Sequence, residues 1–520
     1  MDSFAELADF ELEPSAIRRL ARDFCVHHQV VLLGSIPEDP RTPVTLGMLH
    51  PEETKVRMMV GRRLQRPVKP VRLNAYEIGS AISYGFDGPP TDSSAGGVLL
   101  PLGLGRPAPD ASASDLLDDL LNTAIRKGAS DIHIEHYTDD VDVRVRVDGV
   151  LHQTFTHLNP TNVAAVVSRV KVLSGLDITE KRSPQDGRFR VRLEERRAEA
   201  AVPIDLRVST APGLAGEDVV MRVLRTAGGV LTLEQLGLDR ERRESMETLL
   251  ANPEGLLLVT GPTGSGKTTT LYSMLDRVRD GAKKVLTAED PIEVLLEKVN
   301  QKQVSPVAGM AELARAFLRQ DPDIMMIGEI RDPETAETAI KGASTGHLVL
   351  STLHTPDAWG SVQRLEGLGI DRASVAEVAL GIVAQRLVRR LCPHCAQPAA
   401  PTDRQRGLFG GLIAGMALRG GRGCGLCSES GYKGRIGLFE LLVVDECLQD
   451  DILSGRAGHE VRDDLRSRGH ITLVKDGLRR LEAGETSLAE LTRVLPFRAI
   501  EAERTHAEAS HDLQRGPQGP

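Results

Sequence analysis

From Val141 to Val147 apolar and charged residues alternate without a break, Val-Asp-Val-Arg-Val-Arg-Val, and Val202-Pro-Ile-Asp-Leu-Arg-Val-Ser repeats the same period of two. Successive side chains of a strand point to opposite faces, so both stretches predict half-buried strands. A helical period precedes them over residues 116–127, and together they predict an α/β domain. Between Leu231 and about Val388 the pattern changes. Short apolar runs, among them Leu256-Leu-Leu-Val, Val285-Leu-Thr-Ala, Ile324-Met-Met-Ile and Leu348-Val-Leu-Ser, alternate with helix-favouring segments. That alternation predicts a core with a largely parallel sheet. A smaller α/β module opens the chain, with a helix-like stretch from Pro14 to Cys25, the run Val30-Val-Leu-Leu and periodic segments ending near Tyr84.

Composition places the boundaries. Asp87 to Asp115 is rich in Pro, Gly, Ser and Asp, which suits a flexible linker. The expected organisation is a module at 1–86, the linker at 87–115, a second α/β domain at 116–226 and a nucleotide-binding core at 227–390. A cysteine-bearing element at 391–430, a helical region at 431–499 and a disordered tail at 500–520 complete it. No internal repeat is visible, and the N-terminal module carries no catalytic signature.

The chemistry begins at Gly261-Pro262-Thr263-Gly264-Ser265-Gly266-Lys267-Thr268, followed by Thr269, at the end of an apolar run and the start of a helix-favouring segment. Glycines let successive backbone N–H groups turn toward phosphates, and the helix N-terminus adds partial positive charge. Lys267 is expected to reach the β- and γ-phosphates and the Thr268 hydroxyl to ligate Mg²⁺. The next apolar run ends in Glu289-Asp290-Pro-Ile-Glu293, three carboxylates in five residues, suited to Mg²⁺ or its waters. Asp321-Pro-Asp323-Ile-Met-Met-Ile-Gly328-Glu329-Ile-Arg331-Asp332 reads as a Walker B strand with glycine at the usual aspartate position. Glu329 is therefore the expected general base toward the attacking water. Farther on, His347 and His354 bracket another apolar strand, a layout suited to sensing the γ-phosphate.

Four cysteines form two pairs, Cys392-Pro-His-Cys395 and Cys424-Gly-Leu-Cys427, separated by the 28 residues 396–423. Their spacing predicts a structural Cys₄ zinc site with no open coordination position, and His394 is not expected to be a ligand. A redox motif would need only one pair. Cys25 and Cys447 have no partner motif and read as small apolar residues.

The totals exclude some classes. A net charge of −9, 3% aromatic residues and a single tryptophan speak against a nucleic-acid translocase, which would want a basic pore and stacking platforms. The acidic start Met1-Asp-Ser-Phe-Ala-Glu-Leu lacks the features of a secretory signal, and no apolar run reaches about 18 residues. A cytoplasmic protein with peripheral membrane contact is expected.

Across residues 130–494 these motifs resemble the secretion ATPases that power type II secretion and type IV pilus assembly, the general secretory pathway protein E family. Glu289-Asp-Pro-Ile-Glu293 is similar to that family's Asp box, and Leu318-Arg-Gln-Asp-Pro-Asp323 leads into Gly328-Glu-Ile-Arg-Asp332 as it does there, glycine included. Gly346-His-Leu-Val-Leu-Ser-Thr-Leu-His354-Thr resembles its His box, and Ala384-Gln-Arg-Leu-Val-Arg389 follows. Upstream, Ser130-Asp-Ile-His-Ile-Glu135, Arg144-Val-Arg146-Val-Asp-Gly149, Pro184-Gln-Asp-Gly-Arg188 and Asp205-Leu-Arg207-Val-Ser-Thr look like its second N-terminal domain. The resemblance implies a multi-domain α/β protein with a RecA-like P-loop core, hydrolysing ATP with Mg²⁺ and carrying Zn²⁺. It implies that Arg188, Arg207 and Arg222 close over the nucleotide, that Arg315, Arg319 and Arg331 are candidate transition-state cations, and that Arg435 is a weaker one. Tetracysteine elements accompany the assembly and secretion ATPases of this class and are lacking in the retraction ATPases, which implies an extension motor. The implied partners are inner-membrane platform proteins and the cytoplasmic domain of a membrane-anchored docking partner, with the chain acting as a homo-hexamer. Pilus assembly is the alternative within the class. Binding of a cyclic dinucleotide is not expected, because residues 14–50 show no repeated Arg-Leu-Gly pattern.

Overall fold

The computed structural model describes residues 10, 12–37, 39, 41–73, 78, 81–82, 98–100, 111–154, 157–193, 202–225 and 229–515. The chain divides into two units, residues 1–145 with 151–227, and residues 146–150 with 228–520.

The first unit contains two sheets. Strands β1 (Val30–Leu33), β2 (Val44–Met48) and β3 (Val68–Arg72) form the smaller one, with β1 antiparallel and β3 parallel to β2. The helix Thr54–Leu64 makes the crossover that a parallel pair requires, and Val56 and Val60 bury its inner face. The larger sheet joins β4 (Val98–Leu100), β5 (Ala129–His136), β6 (Val141–Val147), β7 (Val150–Gln153), β8 (Gln185–Leu193), β9 (Val202–Pro212) and β10 (Glu217–Arg225). Its order is β4-β8-β9-β10-β5-β6-β7. The alternation read in the sequence is realised, with Val141, Val143 and Val145 buried and Asp142 and Arg144 half-buried between them. Helices Ala113–Arg126 and Val163–Ser174 bury Leu117, Leu121, Val166 and Val170. The first of them starts ahead of the expected residue 116, because the Ser112 hydroxyl accepts from Asp115 N and the Asp115 carboxylate answers from the other side. One strand, β4, falls inside the segment read as a linker, where it runs parallel to β8.

The second unit is a seven-stranded sheet in the order β13-β12-β14-β15-β11-β16-β19. Its strands are β11 (Gly255–Thr260), β12 (Val285–Glu289), β13 (Val299–Gln303), β14 (Ile324–Ile327), β15 (Leu348–Leu353), β16 (Ala379–Leu391) and β19 (Tyr432–Val443). All pair in parallel except β19, which runs antiparallel to β16. Every residue of β11, β14 and β15 is buried, as expected for strands covered on both faces. The two faces pack into separate apolar clusters, Leu256, Leu258 and Ile327 on one side and Leu257, Val259 and Met326 on the other. A small pair, β17 (Ala396–Pro398) and β18 (Arg419–Gly421), lies next to the cysteines in the chain.

Short helices follow β19. The carboxylate of Glu490, on Leu488–Val494, is fully buried and accepts from Arg389 N at 3.0 Å and Arg389 Nη2 at 2.9 Å, which ties this region to β16. At the end, the structure corrects the expectation of a disordered tail, because a helix spans Phe497–Arg515. Its first turns dock through Ile500, which is buried, and through Glu503, which accepts from the Thr472 hydroxyl at 2.8 Å and faces Lys475 at 3.5 Å. A polar composition hid two inward positions. No helix among the described residues is long and apolar enough to cross a membrane.

Replacing Ile500 by Ala is expected to lower the unfolding free energy of the C-terminal region by about 2–5 kcal/mol, the range for emptying a buried aliphatic site. Urea unfolding measures it, and an unchanged midpoint would mean that the helix is not docked.

Candidate nucleotide site and tetracysteine cluster

Strand β11 delivers the phosphate loop at its C-terminal end, and the helix Lys267–Val278 carries the chain away. Gly261, Gly264 and Gly266 have φ of 149°, 76° and 91°. At two of them a side chain is also barred by contact. A Cβ on Gly261 would lie 2.4 Å from the Gln385 carbonyl oxygen, and one on Gly266 would lie 2.8 Å from Gln385 Nε2. Gln385 belongs to β16, is almost wholly buried, and accepts at Oε1 from the Thr270 hydroxyl at 2.7 Å. The loop is thus braced from below by a strand more than a hundred residues away in sequence.

Lys267 Nζ donates to the carbonyls of Gly261 at 2.9 Å and Pro262 at 3.2 Å. Burial lowers its pKa to about 8, against the pull of Glu329 and with added repulsion from Arg386. Thr268 is half-buried at the helix start; Pro262, Thr263 and Thr269 are exposed and Ser265 is buried. The Thr268 hydroxyl at a helix N-terminus fits a hard, oxygen-seeking cation beside phosphates.

Glu329 follows β14. Its Oε1 lies 2.7 Å from Arg331 Nη2 and its Oε2 lies 3.5 Å from His354 Nε2. The carboxylate is largely shielded while the Arg331 side chain is 70% exposed, so Glu329 has an arginine on one side and an imidazole on the other. Gly328 answers the missing aspartate, since a Cβ there would come within 3.0 Å of the Ala288 carbonyl oxygen. Burial lowers the pKa of His354, with the Lys267 charge adding to it and the bond to Glu329 opposing it, so the ring is neutral at pH 7.

Two sequence expectations change. His347 precedes β15, where its carbonyl accepts from Gly255 N and its Nδ1 faces the Gly342 carbonyl oxygen at 2.9 Å. Because β15 runs parallel to β11, His347 lies at the end of the sheet away from the phosphate loop, about 20 Å off by strand rise. His354, after the other end of the same strand, is the histidine of this site. Glu289 is buried, and its oxygens accept from the hydroxyls of Tyr272 and Thr287, each at 2.5 Å, and from Gln301 Nε2 at 3.0 Å. Asp290 and Glu293 are exposed. Arg315 is exposed and paired with Glu334, Arg319 is exposed, and Arg435 lies opposite Arg389 on β19.

In the first unit, strand register sets Arg188 opposite Arg207 and Arg207 opposite Arg222. All three side chains are exposed, in one row on one face, and the row ends at Asp131, whose Oδ1 lies 3.1 Å from Arg222 Nε. Like charges directly opposed disfavour pairing, and an anion lying on this row would relieve them.

The four cysteine sulfurs lie within 4.8 Å of one another. Cys392 and Cys424 are 3.9 Å apart, Cys395 and Cys427 3.8 Å, Cys424 and Cys427 3.6 Å. A tetrahedron with Zn–S of about 2.3 Å has edges of about 3.8 Å, so the cluster fits zinc. Backbone N–H groups of Cys424 and Gly431 donate to Cys427 Sγ at 3.2 and 3.3 Å, which orients this sulfur and favours its thiolate form. His394 is exposed.

Several site residues escaped the sequence reading. The Thr260 and Thr355 hydroxyls meet at 2.6 Å, and Arg386, nearly buried, donates to the Pro356 carbonyl at 3.0 Å. Asp357 accepts from Arg462 at 2.8 and 3.1 Å. These clamp the loop after His354, which leads to the buried Trp359. The available signal was polar residues inside apolar strands, which are rarely buried without a partner.

A family model described as type II/IV secretion system protein matches residues 108–493. Type II secretion system protein E of Dickeya dadantii is 41% identical over 459 residues, covering 87% of this chain and 88% of that one. The type IV pilus assembly ATPase PilB of Thermus thermophilus is 43% identical over 387 residues, 74% of this chain but 43% of that longer protein. Among solved structures, the Legionella pneumophila ATPase DotB aligns with a TM-score of 0.54 at 23% identity over 78% of this chain and 98% of that one, a likeness of fold. With more than half its length matched by the family model, and with the phosphate loop, Glu329 and His354 gathered at one sheet end, the chain belongs to the type II/IV secretion system protein family of ATPases.

Proposed function

We propose that this protein hydrolyses MgATP to drive type II protein secretion at the inner membrane. The observation that carries the reading is near full-length similarity to a type II secretion protein E, 87% of one chain on 88% of the other, joined to a complete phosphate loop and a shielded Glu329. Type IV pilus assembly is the second reading, favoured by the 43% identity to a pilus assembly ATPase.

Lys267, released from the two loop carbonyls, binds the β- and γ-phosphates, and backbone N–H groups of residues 264–268 surround them. Thr268 is the candidate Mg²⁺ ligand, with Asp290 and Glu293 the exposed carboxylates nearest in sequence to the buried Glu289. The metal neutralises phosphate charge when bound. Glu329 orients and deprotonates the attacking water. His354, a neutral ring beside it, donates or accepts according to whether a γ-phosphate is present. Arg331 and the row Arg188, Arg207 and Arg222 supply cations to the transition state, the row from its own or a neighbouring subunit of a homo-hexamer. Platform proteins of the inner membrane and the cytoplasmic part of a docking partner are the partners, and cytoplasmic, peripheral attachment is the location. The cysteine cluster holds a structural zinc.

Glu329→Gln is expected to lower turnover by about 10²–10⁴-fold while leaving ATP binding intact, read as phosphate release beside fluorescent-nucleotide titration. Normal hydrolysis in that variant would remove Glu329 as the base. Free Lys267 is charged below about pH 8 and neutral above it. ATP affinity is therefore expected to hold below that pH and to weaken by up to about tenfold per pH unit above it, because the ligand must then bring back a proton. A flat affinity from pH 7 to 9.5 contradicts this. Metal analysis should find about one zinc per chain, lost together with several degrees of thermal stability in Cys424→Ser.

A further inference from the structure

Tyr272 lies one and a half turns into the helix that begins with Lys267, and its side chain is 3% exposed. A buried tyrosine needs a partner for its hydroxyl, and this one has three. It donates to Glu289 Oε2 at 2.5 Å and accepts from Glu293 N at 3.0 Å and Val294 N at 3.4 Å. Burial and the neighbouring carboxylate push its pKa above the ordinary tyrosine value, so it remains a neutral donor.

Glu289 is equally enclosed. Its second oxygen accepts from the Thr287 hydroxyl at 2.5 Å and Gln301 Nε2 at 3.0 Å. Gln301 then continues outward, donating to the Val294 carbonyl at 2.9 Å and accepting from Leu296 N at 2.8 Å. The donors that hold its carboxylate are neutral groups, the Tyr272 and Thr287 hydroxyls and the Gln301 amide. The segment that bears the exposed Asp290 and Glu293 is fastened at both ends to one hydroxyl and one carboxylate. The hydroxyl sits on the helix that also presents Thr268.

We propose that Tyr272 is a positioning residue of the nucleotide site. Through Glu289 it fixes the acidic turn 290–294 against the phosphate-loop helix, so that the turn's carboxylates and the Thr268 hydroxyl face one divalent cation at a set separation. This rests on the MgATP reading above and adds a residue to it. Hard cations with near-octahedral demands tolerate little displacement of their ligands, so a loosened turn weakens metal affinity before it weakens nucleotide affinity.

The test uses the full chain and a fluorescent ATP analogue, titrated first in EDTA and then against Mg²⁺ alone. Tyr272→Phe keeps the ring and removes the hydroxyl. Its affinity in EDTA should stay within about twofold of wild type, while the Mg²⁺ concentration giving half of the metal-dependent gain in affinity should rise about tenfold or more. Turnover at low Mg²⁺ should fall and recover in excess Mg²⁺. Thr287→Val, which loses a donor to the same carboxylate but leaves the helix tied, should shift the Mg²⁺ midpoint less. Should Tyr272→Phe fold poorly, Glu289→Leu, which removes the acceptor of the tyrosine hydroxyl, should show the same selective shift. An unchanged Mg²⁺ midpoint in both variants, with or without a lower melting temperature, overturns the proposal and leaves the MgATP reading standing. A wild type whose nucleotide affinity ignores Mg²⁺ overturns both.

Discussion

The contact between strand β16 and the phosphate loop is the constraint around which the second unit is organised. Gln385 comes so near the loop that residues 261 and 266 have no room for a Cβ, and its side chain then fastens Thr270 on the first turn of the helix. Glycine at those positions serves two demands together, a left-handed or extended backbone that presents N–H groups to phosphate and closeness to a neighbouring strand. The same β16 pairs with β11 on one side and β19 on the other, and ends beside Cys392. Loop geometry, the register of the antiparallel ribbon and the placing of the cysteine cluster are thereby set by one long strand.

Several buried polar groups of this unit are bonded internally, and that division separates framework from chemistry. Glu289, Glu490, Glu503 and Gln385 are buried and accept hydrogen bonds from donors on other elements. Leaving any one of them unpaired would cost the full desolvation of a charged or amide group, so each fixes its surroundings tightly. The groups left accessible at the same sheet end are Lys267, Thr268, Arg331 and His354, with Glu329 shielded between two of them. A transferring phosphoryl group needs that arrangement, because positioning and charge neutralisation carry most of the catalysis.

Much of this was legible along the chain wherever chemistry depends on local spacing. The phosphate loop, Glu329 and the two Cys-x-x-Cys pairs stand where their motifs put them, since each needs only a turn or a strand end to be brought into play. What failed depended on direction or on distant partners. His347 and His354 are equivalent in a linear reading, and only the parallel pairing of β15 with β11 decides which one meets the loop. Glu289 looks like a ligand in its motif until Tyr272, Thr287 and Gln301 converge on it. The row of Arg188, Arg207 and Arg222 was visible as three separate charged positions, but its alignment comes from the registers in which three consecutive strands pair antiparallel. The final helix was hidden because its two inward side chains are outnumbered by solvated ones.

Trp359 is the chain's one tryptophan, 2% exposed, with an indole N–H that has no hydrogen-bond partner among the described residues. It stands five residues past His354, at the end of the loop that Thr260, Arg386 and Arg462 clamp. A single indole in 520 residues makes the tryptophan emission of the whole protein a signal from that one place. Any movement of the histidine loop that admits water to the ring, or offers its N–H an acceptor, changes the colour of the light emitted, and the protein carries its own optical gauge of the loop without a dye or a label.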